Sequence, residues 1–148
     1  MTSGHAGEWI AKQIFDLDLE KAANAAGIDG RFLSGPLAGR TVNVKWYLKR
    51  EGMLDVTRSA SLDYYLVLTG PAMRAQDPKT LRSWRITSAY LFDAQKLLAE
   101  LEESGKGIGV ASSITLRQWA AAEIYPNPTN SALVLNERQR DQLAAFAG

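Results

Sequence analysis

Apolar residues recur at three- and four-residue intervals near the start of the chain, a spacing that predicts an amphipathic helix from about Gly4. The pattern is carried first by Trp9, Ile10, Ile14 and Leu17 and is continued by Leu19, Ala22, Ala23 and Ala26. Gly27 is placed to end this helix, because glycine readily adopts the left-handed conformation found after a helix. A break at residues 16–18 is the alternative, since the short polar residues there could begin a second helical piece.

Strict alternation predicts a strand over residues 40–48, the strongest strand signal in the chain. The apolar set is Val42, Val44, Trp46 and Leu48, and the set between them is Thr41, Asn43, Lys45 and Tyr47. A short extended segment at 28–33 precedes it, joined through the turn-rich residues 34–39. Residues 64–68 are apolar on both faces, which is typical of a central strand covered by helices on both sides.

The second half of the chain mixes helix and strand signals. Extended segments are predicted at 84–92, 108–111 and 132–135, and helices at 94–104, 115–122 and 137–146. Asp93 is placed to cap the helix that begins at residue 94. No internal repeat or linker interrupts the pattern, so we expect one α/β (α+β) domain over residues 1–148, a sheet flanked by helices.

Composition removes several classes of chemistry. The 148 residues contain no cysteine and one histidine, His5. Disulfides, thiolate metal sites and a cysteine nucleophile are therefore excluded, and a Ser-His-Asp triad or a multi-histidine metal centre is disfavoured. The first residues lack a basic leader and an apolar core, and no apolar run could span a bilayer. We expect a cytoplasmic protein with no membrane partner, whose chemistry uses carboxylates, lysine and hard metal ions.

The net charge of +1 conceals an uneven distribution. Residues 31–58 hold six basic against two acidic side chains, residues 74–85 hold four against one, and residues 91–148 hold five against seven. A basic middle of this kind is compatible with a nucleic-acid partner. The candidates for phosphate contacts are Lys49, Arg50, Arg58, Arg82 and Arg85.

The predicted hairpin brings polar side chains together. Asn43 and Lys45 share one face of their strand, because side chains alternate. Two registers, with Asp29 opposite either Lys45 or Asn43, place Asp29 on that same face. A slip of one residue would put its carboxylate among apolar side chains, which is costly. Glu51, Asp55 and Asp63 follow as further acidic candidates.

Four short motifs resemble the PD-(D/E)xK nuclease superfamily. They are Gly7-Glu8 in a helix with Ala11, then Ala26-Gly27-Ile28-Asp29-Gly30, then Val42-Asn43-Val44-Lys45, and finally Ser61-Leu62-Asp63-Tyr64-Tyr65-Leu66-Val67-Leu68. The resemblance covers roughly residues 4–111. It implies a restriction-endonuclease-like core, with a central mixed sheet of four to five strands flanked by helices.

The resemblance also implies a function and a site. It implies a nuclease of restriction or repair type that hydrolyses DNA, with RNA as another possible substrate, using Mg²⁺ or Mn²⁺. Glu8, Asp29 and the carbonyl of Val44 would bind the metal, and Lys45 would position or activate the attacking water. Carboxylate oxygens suit Mg²⁺, and a lysine stabilises developing negative charge.

Two positions depart from the family pattern. Ile28 replaces a proline, and Asn43 replaces the acid before x-Lys, a variant similar to the Gln-x-Lys of Mrr-like restriction enzymes. Asn43 leaves an alternative open, a catalytically degenerate member that acts as a nucleic-acid-binding or protein-interaction module. The short chain also predicts a homodimer or a partner subunit, because it leaves little room for a separate recognition domain.

Overall fold

The computed structural model describes residues 3–19, 27–47, 52–70, 85–109 and 111–146. In chain order its elements are α1 (Ser3–Phe15), β1 (Leu17–Leu19), β2 (Gly30–Phe32), β3 (Thr41–Tyr47), β4 (Met53–Leu54), β5 (Tyr64–Thr69), β6 (Ser88–Asp93), α2 (Ala94–Glu103), β7 (Ser112–Ser113), α3 (Leu116–Ala122), β8 (Glu123–Tyr125) and α4 (Glu137–Ala144). None of the described helices is long and apolar enough to cross a membrane.

The protein is α/β, with a mixed central sheet in the order β1-β2-β3-β5-β6-β8. The predicted count of four to five strands is therefore wrong, because six strands pair in this sheet. The extra strands are short: β1 and β8 have three residues each. β3 and β5 are parallel, and the other neighbouring strands are antiparallel.

The first helix ends at Phe15, well before Gly27, where the continuous helix was expected to end. Asp16 adopts φ 56°, a left-handed conformation that stops α1. Leu17 and Leu19 then pair with Phe32 and Gly30 as strand β1, so the prediction of continued helix through these residues is wrong. The alternative of a break at residues 16–18 is confirmed, but residues 20–26, where a second helical piece was expected, lie outside the described part.

The predicted hairpin is confirmed. β2 pairs with β3 through Gly30 opposite Val42 and Arg31 opposite Thr41. This is the register of the second alternative considered, but the ladder ends at Gly30: Asp29 precedes β2, and its N–H donates to the Val42 carbonyl. A short 3₁₀-helix, Gly35–Leu37, lies within the turn.

The later predictions succeed in part. Asp93 caps α2, accepting a hydrogen bond from the Lys96 N–H at 3.1 Å. The strand expected at 108–111 lies instead at β7 and pairs with β4. Residues 132–135 form no strand; Leu133 and Leu135 are buried in the core without joining the sheet. Residues 123–125, for which no element was predicted, form β8 at the sheet edge.

Helices cover both faces of the sheet, as the apolar β5 segment predicted. Leu66 and Leu68 face a core that includes residues of α1 and α4. Tyr65 and Val67 face a second core that includes residues of α2 and α3. β3 follows the same alternation, so Val44 lies on the α1 side, and Lys45 points to the other face. The polar side chains of β3 therefore lie beside the second core.

Candidate functional site

The site begins where β2 separates from β3. The Asp29 N–H donates to the Val42 carbonyl at 2.9 Å, and beyond this point the Asp29 side chain, rather than the backbone of β2, bonds to β3. Asp29 Oδ2 accepts a hydrogen bond from the Val44 N–H at 2.7 Å. The carboxylate therefore occupies the place where a paired strand would offer a carbonyl, which fixes its position beside β3, just past the end of β2.

Asn43 holds the segment that leads into Asp29. Its Nδ2 donates to the Gly27 carbonyl at 2.7 Å, and Gly27 has φ +74°, a conformation that favours glycine. The Oδ1 atom of Asn43 is buried and accepts no hydrogen bond within the described residues. A carboxylate at position 43 could not donate to Gly27, so the amide has a local structural reason.

Val44 contributes a backbone oxygen at the same edge. The N–H and C=O of one strand residue point to the same side of the strand. Because the Val44 N–H points to Asp29, the Val44 carbonyl faces the gap left by β2. The Asn43 amide oxygen and the Val44 carbonyl thus belong to consecutive residues of β3, and the Asp29 carboxylate reaches Val44 from the segment before β2.

Lys45 is half-buried beside these oxygens. Its Nζ lies 5.3 Å from the centroid of the Tyr65 ring, within the range of a cation–π interaction. Burial lowers the pKa of Lys45, and the negative charges of Asp55 and then Asp29 oppose that effect. Among the described residues neither carboxylate lies within 4.0 Å of the Lys45 ammonium, so the charges interact without a direct salt bridge.

Two tyrosines frame the lysine. The Tyr65 hydroxyl accepts a hydrogen bond from the Thr57 N–H at 3.0 Å. The Tyr47 hydroxyl lies 3.5 Å from the Asp55 N–H, and burial raises the pKa of Tyr47. Tyr47 could have been found from the sequence, because it follows Lys45 by two residues on the same face. Tyr65 could not, since its place beside Lys45 depends on the parallel register of β3 and β5.

The three further acidic candidates differ. Asp63 is structural: its Oδ2 accepts a hydrogen bond from the Thr41 N–H at 2.9 Å, and its Oδ1 lies 3.8 Å from Arg40 Nη1. Asp55 is exposed and belongs to the surroundings of Lys45. Glu51 lies outside the described residues.

Glu8 lies on the helix that packs against the other face of β3. A Cβ on Gly7 would come within 2.9 Å of Trp46 Cβ, so this part of α1 is tightly packed on the Trp46 side of the strand. Lys45 points away from that side. Glu8 itself is half-buried. Its metal role stays a prediction.

The structure describes two of the five residues predicted to contact phosphates, Arg58 and Arg85. Lys49, Arg50 and Arg82 lie outside the described residues. Arg58 is exposed, and its Nη1 donates to Glu102 Oε1 at 2.7 Å in a surface salt bridge. Arg85 is half-buried near the start of β6. The nucleic-acid role of these five residues stays a prediction.

The oxygen donors match the preference of a hard cation in type. Within the described ranges, no three histidine, aspartate or glutamate side chains form a group that could hold a metal ion. The candidate donors are of mixed kind: the Asp29 carboxylate, the Val44 carbonyl and the Asn43 amide oxygen.

No protein-family model matches this chain, and no curated protein matches it. Its function is therefore inferred from the residues around Asp29 and Lys45.

Proposed function

We propose that this protein is a metal-dependent nuclease that hydrolyses phosphodiester bonds in DNA, with its site at Asp29, Asn43 and Lys45. One observation carries the proposal. Where β2 ends, the Asp29 carboxylate accepts the Val44 N–H of β3, and the flanking residues are Asn43, with a buried and unpartnered amide oxygen, and the half-buried Lys45, whose charge interacts with that of Asp29. Carboxylate, lysine and Mg²⁺ are sufficient for phosphodiester hydrolysis without histidine or cysteine.

The metal would be Mg²⁺ or Mn²⁺. Asp29, the Val44 carbonyl and Asn43 Oδ1 would hold it, and the buried Asn43 Oδ1, which has no partner among the described residues, supports that fit. When bound, the metal would supply Lewis acidity to the scissile phosphate and lower the pKa of a bound water.

Lys45 would act on the phosphate and on the attacking water. Its half-buried ammonium lies in a region of reduced dielectric, where a fixed positive charge stabilises developing negative charge more strongly than it would in bulk water. The Tyr65 ring beneath Nζ limits its freedom to move. Lys45 would thus orient the water and stabilise charge on the phosphate oxygens.

The fold also supports placing the chain in the PD-(D/E)xK superfamily with a restriction-endonuclease-like core. The chain order is that of the family: a helix with Glu8, a strand that starts after Asp29 and a next strand with Lys45. Cleavage of both strands by a homodimer, or with a partner subunit, remains part of the proposal.

A plasmid-nicking assay with purified protein tests the proposal. With Mg²⁺ or Mn²⁺ the wild type should convert supercoiled DNA to nicked and linear forms. Lys45→Met removes the charge but preserves side-chain length, and it should lower the rate by at least about a hundredfold. Lys12→Met, an exposed lysine in α1, is the matched control. Wild-type cleavage by a folded Lys45→Met protein would refute the assignment.

A second function, that of a degenerate module, is favoured by one observation. Asp29 and Asn43 both make hydrogen bonds that hold the backbone, so both have a reason to be present without catalysis. Such a protein would bind nucleic acid without cutting it, or would bind another protein. Failure to cleave, combined with DNA affinity that falls steeply as salt rises, would favour nucleic-acid binding. Failure to cleave without such affinity would favour a protein partner.

A further inference from the structure

We propose that Asp55 is the second carboxylate of this site and supplies the negative charge that Asn43 does not. The inference rests on the proposed function, because it concerns the metal that the nuclease would use. It assigns a ligand role to a loop residue that the strand motif does not contain.

A second anion would strengthen the proposed metal site. Asp29 carries one negative charge, and Lys45 carries one positive charge close by, so together they are neutral. A divalent cation is not attracted to a neutral group of donors as strongly as to an anionic one, and ligand charge tunes the affinity of such sites. With Asp55 included, the site has a net negative charge.

A contact with Tyr47 places Asp55 near the face of β3 that carries Lys45. It follows directly after β4, and its N–H lies 3.5 Å from the hydroxyl of Tyr47. Tyr47 and Lys45 are two residues apart on β3, so they share a face. Asp55 therefore stands at the solvent side of the surface that carries Lys45.

The side chain of Asp55 is also oriented. Its Oδ1 accepts a hydrogen bond from the Ala111 N–H at 3.1 Å, and the next residue, Val56, donates from its N–H to the Gly109 carbonyl at 3.0 Å. These bonds leave Asp55 Oδ2 without a hydrogen-bond donor among the described residues. Ligating carboxylates are commonly held by such hydrogen bonds.

The amide at position 43 explains why the charge would come from elsewhere. Asn43 Nδ2 donates to the Gly27 carbonyl, and a carboxylate there would face that carbonyl without a proton to share. The hydrogen bond to Gly27 holds the segment that carries Asp29. Asn43 therefore serves the position of one carboxylate, while Asp55 supplies the other.

Calorimetric titration with Mn²⁺ tests the inference on the intact protein. Asp55→Asn removes the charge but keeps an oxygen that can accept from Ala111. The melting temperature without metal should therefore fall only slightly, through the loss of the charge that interacts with Lys45. The dissociation constant for Mn²⁺ should rise at least about tenfold, and the stabilisation by added Mn²⁺ should shrink accordingly. Asp16→Asn is the control, because that exposed carboxylate accepts one hydrogen bond, from Ser34, outside the site.

The outcomes separate the two proposals. If Asp29→Asn weakens Mn²⁺ binding and Asp55→Asn does not, the role of Asp55 is refuted while the proposed function stands. If Glu8→Gln weakens binding and Asp55→Asn does not, Glu8 is the second carboxylate. If the wild type binds no Mn²⁺ at millimolar concentrations, both proposals fall together.

Discussion

Substitution of Asp29 separates the part this carboxylate plays in the sheet from its part in the proposed site. Asp29→Ala removes the acceptor of the 2.7 Å hydrogen bond from the Val44 N–H. A lost hydrogen bond to a charged group in a half-buried position costs about 2 kcal/mol, because the N–H is left without its acceptor. For a chain of this size each kcal/mol corresponds to about 3 °C, so the melting temperature should fall by roughly 6 °C.

Asp29→Asn keeps an acceptor for Val44 while removing the charge. Its amide oxygen can take the same hydrogen bond, so the loss of stability should stay below about 1 kcal/mol, or about 3 °C. Under the proposed function, Mn²⁺ binding and DNA cleavage should nevertheless be lost, because one of the two proposed anionic ligands is gone. Both variants are compared by thermal unfolding in the absence of metal, then by Mn²⁺ titration and plasmid nicking.

Two results would refute this reasoning. Equal melting temperatures for Asp29→Ala and the wild type would show that the Val44 hydrogen bond contributes nothing to stability. Full Mn²⁺ binding and cleavage by Asp29→Asn would show that the carboxylate serves the sheet alone. The intermediate outcome, a stable Asp29→Asn protein that does not bind Mn²⁺, is the expected one.

Three further predictions concern stability. Burial lowers the pKa of Lys45, so between that pKa and 10.5 the unfolded chain binds more protons, and the stability of the wild type rises with pH in this range. Lys45→Met should remove this rise and should be more stable than the wild type at neutral pH. Urea unfolding at several pH values measures both, and an unchanged dependence of stability on pH would contradict the prediction. Asp63→Ala should cost about 1–3 kcal/mol in thermal unfolding, because the Thr41 N–H loses its 2.9 Å acceptor; a loss below about 0.5 kcal/mol would show that this hydrogen bond contributes little. Gly30→Ala places a Cβ 2.2 Å from the Asp18 carbonyl oxygen, so β1 must shift and stability should fall by at least about 2 kcal/mol; an unchanged melting temperature would show that the two strands separate at little cost.

The β2–β3 hairpin was predictable because two signals agreed. Alternation fixed the face of Asn43 and Lys45, and the cost of burying a carboxylate among apolar residues selected the face of Asp29. The register that the structure adopts is one of the two that these signals allowed. Local patterns therefore predicted the hairpin that carries the candidate site residues.

Other features depend on contacts distant in sequence. Leu17 and Leu19 fit a helical period as well as a strand, and only their pairing with β2 decides between the two. The place of Asp55 depends on the hydrogen bond from Ala111, which is 56 residues away. Leu133 and Leu135 have a strand-like apolar pattern, but they are buried without a neighbouring strand to pair with. The apolar pattern within each segment does not reveal which segment it packs against.

The double use of Asp29 has an evolutionary consequence. If the proposed function holds, a relative that does not cut DNA would still keep Asp29 under selection for folding alone, since its loss would leave the Val44 N–H without its acceptor. Lys45 has no such protection, because its burial works against stability, and Asp55 lies on the surface where drift is fast. In an alignment of homologues, the presence of Lys45 and Asp55, rather than that of Asp29, should distinguish active from inactive proteins.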